Sequence, residues 1–170
     1  GKFETTLEGP AIAVFPNGNF VIASANNSGE IFAQEFDMHA SAMTSKIYLD
    51  EANVECGRLN IALYNNYYSV VWVYGIYQPN SDIYYQKCQW GGQKIGTKIK
   101  ISDDTLAYRN DPYICTNKTG QSLVVWADTR NGNSDIYGQL IAQNNTLTGN
   151  NYKINSDAII RRSHNFPTID

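Results

Sequence analysis

Short apolar stretches, separated by turn-forming sequences, run along the whole chain. Three strongly apolar stretches each follow another short, strand-like stretch. The pairs are Ala11–Val14 and Phe20–Ala23, Asn60–Leu63 and Val70–Val73, and Tyr113–Cys115 and Leu123–Trp126. No stretch of 12 or more residues shows the 3.6-residue period of an amphipathic helix, and Asn and Gly mark the turns. The pattern predicts an all-β fold.

One motif recurs at an almost constant interval. It consists of an acidic residue, Ile, an aromatic residue, any residue and Gln. It occurs at Asp82–Gln86 and Asp135–Gln139, and in a weaker match at Glu30–Gln34, where Glu and Phe replace Asp and Tyr. The glutamines are 52 and 53 residues apart. A repeat of this length is typical of four-stranded β-propeller blades, which must stack on one another to bury their faces.

The repeats divide the chain into tandem four-stranded antiparallel β-units, arranged as an incomplete propeller or an open array. A parallel β-helix has much shorter rungs, and a β-sandwich would not require so regular an interval. The predicted divisions are 1–9 for the end of a preceding unit, 10–57, 58–108 and 109–160 for three repeats, and 161–170 for the first strand of a fourth unit.

The predicted strand at 166–169 has no further strands of its own unit in this sequence. Three units do not close a ring, and bare strand edges promote pairing with other chains. We therefore expect either that the chain continues beyond Asp170 in the intact protein or that this strand completes a blade in another copy, head to tail.

The stretch Leu123–Gln139 resembles the repeat of sialidase-like β-propellers, which occur in large secreted and surface proteins of bacteria and protists. The resemblance covers essentially the whole chain and is strongest in the third unit. It implies a propeller-type fold and an extracellular or cell-surface location. Because such proteins range from hydrolases to plain scaffolds, it does not imply a function.

The machinery that sialidases use is incomplete here. Their Asp-box pattern, Ser-x-Asp-x-Gly-x-x-Trp, is absent, and no unit carries an acid that the others conspicuously lack, although a glycosidase needs two facing carboxylates. The resemblance implies that three arginines bind the carboxylate of the substrate. The candidates are the arginines near unit boundaries or in loops, which are Arg58, Arg109, Arg130 and Arg161. His39 and His164 lie in polar stretches without a nucleophile elbow, so we expect no catalytic residue.

One loop of the third unit is a candidate calcium site. Oxygen-bearing side chains surround Gly132, as in calcium loops, at Asp128, Asn131, Asn133 and Asp135. The neighbouring arginine and the lack of a bidentate glutamate favour instead a hairpin loop that uses Asn-Gly. No other cofactor is indicated.

Three acceptor sequences for N-linked glycans begin at Asn26, Asn117 and Asn144, all in predicted turns. We expect glycans on at least one of them in a eukaryotic protein. The three cysteines, Cys56, Cys88 and Cys115, are expected not to pair within the chain, because Cys56 and Cys88 fall at opposite ends of one predicted sheet.

Composition and charge exclude two classes of partner. The net charge is −3 without runs of like charge, so the sequence has no basic surface for nucleic acid and no polybasic patch for a membrane. It also contains no run of 18 apolar residues that could span a bilayer. The sequence thus predicts a non-catalytic structural or adhesive scaffold whose partners are copies of itself or flanking repeats. The alternatives are a fragment of a sialidase-like glycoside hydrolase and a lectin-like carbohydrate-binding module.

Overall fold

Twelve β-strands make up the computed structural model, which describes residues 9–26, 28–51, 54–76 and 78–156. The strands form three four-stranded antiparallel sheets, each with its strands in chain order. The sheets are β1 (Ala11–Val14), β2 (Phe20–Ala25), β3 (Ile31–Phe36) and β4 (Ile47–Asp50); β5 (Cys56–Tyr64), β6 (Tyr67–Tyr74), β7 (Asp82–Gln89) and β8 (Gln93–Lys100); and β9 (Arg109–Thr116), β10 (Ser122–Asp128), β11 (Asp135–Ile141) and β12 (Leu147–Lys153). The predicted fold class is confirmed.

The residue divisions between the repeats stay a prediction. The second sheet begins at Cys56, two residues before the predicted start of its repeat, and the third begins at Arg109, where its repeat was predicted to start. The described part of the chain contains no helix long and apolar enough to cross a membrane.

The repeated glutamines occupy equivalent places in the third strand of each sheet, as predicted. In the second sheet the pairing of β7 with β8 shifts register at Gln86, whose Nε2 donates to the carbonyls of Lys87 (2.8 Å) and Ile95 (3.2 Å). Gln139 does the same for Leu140 and Thr148 in the third sheet. The side chain therefore satisfies carbonyls that the bulge removes from the ladder.

The three sheets pack face to face, and the middle one is covered on both sides. On β6, Tyr68, Val70 and Trp72 pack against the first sheet, while Val71 and Val73 pack against the third. Because both faces are buried, β6 is continuously apolar over Val70–Val73 instead of alternating. Trp72 and its equivalent Trp126 are fully buried between the sheets.

The sheets converge on their first strands. β5 lies in extensive contact with β9 and also contacts β1, whereas the outermost strands β4 and β8 meet at few points. The first strands of successive sheets therefore form the common inner edge of a fan, and any residue that projects from this edge lies close to its counterpart in the next sheet.

Candidate functional site

Two β-bulges interrupt the inner strands near their beginnings. The pairing of β5 with β6 shifts register between Gly57 and Asn60, and that of β9 with β10 shifts between Val125 and Ala127, opposite Asp111. Arg58 and Asp111 have φ angles of 49° and 48°, a left-handed conformation that costs energy for residues other than glycine. Bulges that re-aim a side chain in this way are common beside active sites.

Arg58 and Asp111 occupy the same position in successive repeats, 53 residues apart, and they form an ion pair with Nη1 2.7 Å from Oδ1. Both side chains are largely buried, at 23% and 16% exposure. Beside them, Asn60 Oδ1 accepts a hydrogen bond from the Ile114 amide (3.2 Å), which ties β5 to β9. The two bulges thus place opposite charges together across the boundary between two sheets.

A groove of about 160 Å³ lies over this pair. We call it the inner-strand groove, and its lining residues are Gly9, Arg58, Leu59, Asn60, Asp111, Pro112 and Tyr113. A carboxylate, a guanidinium, an amide and a phenol ring in one small concavity can hydrogen-bond and pack against a sugar. On the three described inner strands Asp111 is the only carboxylate, so these strands by themselves do not hold the two that glycoside hydrolysis needs.

A second charged cluster, centred on Arg109, is structural. Arg109 is 1% exposed, and its guanidinium lies 3.0 Å from Asp128, 3.3 Å from Asp82 and 3.2 Å from Asp103. Burial alone would raise the pKa of Asp128, but hydrogen bonds from Arg130, including one from its backbone, outweigh burial and hold that pKa below its ordinary value. The guanidinium is saturated by protein partners, and the cluster joins the second sheet to the third.

The predicted calcium ligands lie around this cluster and the adjoining hairpin loop. Asp128 is bound by Arg109 and Arg130, and Asp135 pairs with Lys153 (2.8 Å) and accepts from Asn131 Nδ2 (3.0 Å). Asn133 is exposed in the loop. Among the described residues no three His, Cys, Asp or Glu side chains group as metal ligands. The calcium site stays a prediction, with its two carboxylates already engaged by cations.

The other singled-out residues do not line the inner-strand groove. His39 is exposed in the loop after β3, and Cys56 and Cys88 are buried and unpaired, with burial raising the pKa of each thiol to about 12. Cys115 is also unpaired, and it is half-buried. His164 and Arg161 lie outside the described residues.

The glycan acceptors are in turns. Asn117 and Asn144 are exposed, and each Oδ1 accepts the hydroxyl of the threonine two residues on, at 2.7 Å. Asn26 is half-buried, and its Oδ1 accepts the amides of Ser28 and Glu30.

No protein-family model and no curated protein sequence matches this chain. Its structure resembles that of an α-L-arabinofuranosidase from Lactobacillus brevis, with a TM-score of 0.61 and 12% identity over 86% of this chain. The chain spans about half, 53%, of that enzyme. The fold is propeller-like.

Two further solved structures match with lower TM-scores, 0.37 and 0.35. They are a GH43 endo-arabinanase from Bacillus licheniformis (10% identity; 92% of this chain and 82% of that one) and an endo-arabinase from Bacteroides thetaiotaomicron (12%; 91% and 83%).

These comparisons correct two predictions. The non-catalytic scaffold and the absence of enzymatic activity are contradicted, because the solved structure that this chain resembles with a TM-score of 0.61 is that of an α-L-arabinofuranosidase, and the glycoside-hydrolase alternative accords better with it. We expected no unit to carry an acid that the others lack, but Asp111 is such an acid with respect to the second repeat, where its counterpart is Arg58.

Proposed function

We propose that the chain supplies blades of a glycoside-hydrolase propeller and that its inner-strand groove contacts the sugar. The observation that carries the proposal is the Arg58–Asp111 pair, which two strained bulges bring together at the inner edge of adjacent sheets. Strained backbone that persists at charged residues is typical of functional sites.

In this proposal Asp111 is one of the two carboxylates of the reaction, as general acid, base or nucleophile. Arg58 compensates its charge in a site shielded from water and holds the carboxylate in one orientation. The second carboxylate lies outside the described inner strands. Further blades, from flanking sequence or from another copy of the chain, complete the propeller.

The proposed substrate class is a saccharide that contains arabinofuranose. It rests on the likeness to a structure named as an α-L-arabinofuranosidase. The likeness of Leu123–Gln139 to sialidase-like repeats supports glycoside hydrolysis but suggests an acidic sugar. We prefer the arabinofuranoside because the Asp-box pattern is absent and the structural likeness spans most of the chain.

Replacing Asp111 tests this assignment. Asp111→Asn keeps the size of the side chain but removes its charge, and it should lower kcat/KM for 4-nitrophenyl α-L-arabinofuranoside by about 100-fold or more in the intact protein. The matched control is Asp104→Asn, whose side chain is 99% exposed, and it should leave the rate unchanged. Wild-type activity in Asp111→Asn, or no hydrolysis of arabinosides by the wild type, would contradict the proposal.

We also propose an extracellular or cell-surface location with N-linked glycans. Support comes from the exposure of Asn117 and Asn144 in turns that an oligosaccharyl transferase could reach. In protein purified from a eukaryotic native source, intact mass should exceed that of the bare polypeptide and fall after deglycosylation. An intact mass equal to that of the bare polypeptide would refute the proposed glycosylation.

A further inference from the structure

A second groove lies at the opposite end of the sheets from the inner-strand groove. It has a volume of about 270 Å³ between the turn that follows β1 and two turns of the second sheet. We call it the Trp90 groove, and it is lined by Phe15, Pro16, Asn17, Asn65, Asn66 and Trp90. Arg58 and Asn65 lie at opposite ends of β5, about 23 Å apart at the rise of an extended strand, so the two grooves do not share residues.

Trp90 is held in place while part of its ring stays accessible. Its backbone amide donates to the carbonyl of Asn66 (2.7 Å), and its ring meets that of buried Phe15 edge to face, with centroids 4.6 Å apart and an interplanar angle of 73°. The indole is therefore preorganised, which reduces the entropy that a ligand must lose on stacking against it.

The indole N–H of Trp90 makes no hydrogen bond with the described protein. The other two tryptophans are buried, and Trp72 and Trp126 donate to Asp50 (3.3 Å) and Asp128 (3.0 Å). A tryptophan N–H normally finds a protein partner when it is buried. That of Trp90 remains available to a ligand.

Three amides extend this supply of polar groups. No hydrogen bond joins the described residues to the side chains of Asn65 and Asn66. In Asn17 the Oδ1 atom accepts the backbone amide of Asn19, but Nδ2 makes no hydrogen bond with described residues. An amide offers both donors and acceptors, which matches vicinal hydroxyls. None of the six lining residues is charged, so neither an anion nor a cation would find a counter-charge in the groove.

We propose that the Trp90 groove binds a neutral oligosaccharide, with one sugar ring stacked on the indole and hydroxyls bonded to the asparagine amides. The groove is a binding site separate from the inner-strand groove, and it does not depend on hydrolysis there. An aromatic surface with a few convergent polar groups and no charge is the chemistry that such a ligand requires.

Acrylamide quenching of tryptophan fluorescence provides the test. Trp72 and Trp126 are each 0% exposed, so among the tryptophans of this sequence collisional quenching reports on Trp90, and a Trp90→Phe variant gives the contribution of any tryptophan outside it. Arabinotriose, xylotriose and maltotriose are titrated separately in the intact protein. At least one should lower the quenching constant in a saturable manner at millimolar concentration, and the absence of protection by all three would overturn the proposal.

Two variants secure the assignment. Asn66→Ala removes an amide that makes no hydrogen bond with the described residues, so it should fold normally and weaken binding by about three- to tenfold. Asp111→Asn, in the inner-strand groove at the other end of the sheets, should leave protection of Trp90 unchanged even where it abolishes hydrolysis. Unaltered affinity in Asn66→Ala, or loss of protection in Asp111→Asn, would contradict a separate site.

Discussion

The repeated glutamine has a structural role, because its side chain forms hydrogen bonds with the backbone. Gln86 and Gln139 are 2% and 1% exposed, and each amide donates to carbonyls on both sides of a bulge between the third and fourth strands. In the first sheet Gln34 donates to the Thr44 carbonyl at 2.9 Å. An apolar side chain of the same size would leave these buried carbonyls without a partner.

Replacing Gln139 should therefore destabilise the protein. For Gln139→Ala we expect the free energy of unfolding to fall by about 1–3 kcal/mol, because buried carbonyls lose their donor. Urea unfolding followed by circular dichroism measures the change. Gln93→Ala, at an exposed strand position, is the control and should change stability by about 0.5 kcal/mol or less. Equal effects of the two changes would refute the role of the bulge.

Single residues of the candidate site were the hardest to predict. The sequence interpretation noted Arg58 only as an arginine near a unit boundary, and it missed Asp111. Their pairing depends on a contact between residues 53 positions apart and on left-handed backbone at two charged residues. Neither feature can be predicted from composition or from hydrophobic periodicity. The usable signal was the repeat itself, which places the two residues at one equivalent position.

At the scale of the strands, hydrophobicity predicted the first three strands of each unit better than the fourth. The middle strands β6 and β10 are buried on both faces and are strongly apolar. By contrast β8 and β12 are exposed or half-buried along their whole length, so they show little apolar pattern. The outer strand of such a sheet is fixed by hydrogen bonding to its neighbour more than by burial.

Polar contacts fix the sheets relative to one another. Buried Glu35 of the first sheet accepts the amides of Gly91 (2.8 Å) and Gly92 (3.0 Å) in a turn of the second. Arg109 joins the second sheet to the third through Asp82 and Asp128. Because these contacts are directional, they set the angle between sheets that apolar packing alone would leave adjustable.

For the molecule as a whole, the repeat interval was sufficient to predict three propeller-like units, but not their function. The fold is shared by proteins with different activities, so function depends on which side chains reach the inner edge. Here the three first strands converge, and two bulges place Arg58 and Asp111 in one groove at that edge. We therefore place the sugar-binding role of the molecule in this groove.

A crystal structure of the intact protein with arabinotriose tests whether the inner-strand groove binds sugar. We expect a sugar ring in the inner-strand groove, with hydroxyls within hydrogen-bond distance of Asp111 and Arg58. A crystal of Asp111→Asn grown and soaked in the same way is the control and should show weaker sugar density there. Sugar bound only at the Trp90 groove, or an inner-strand groove that stays empty while the sugar binds elsewhere, would contradict it.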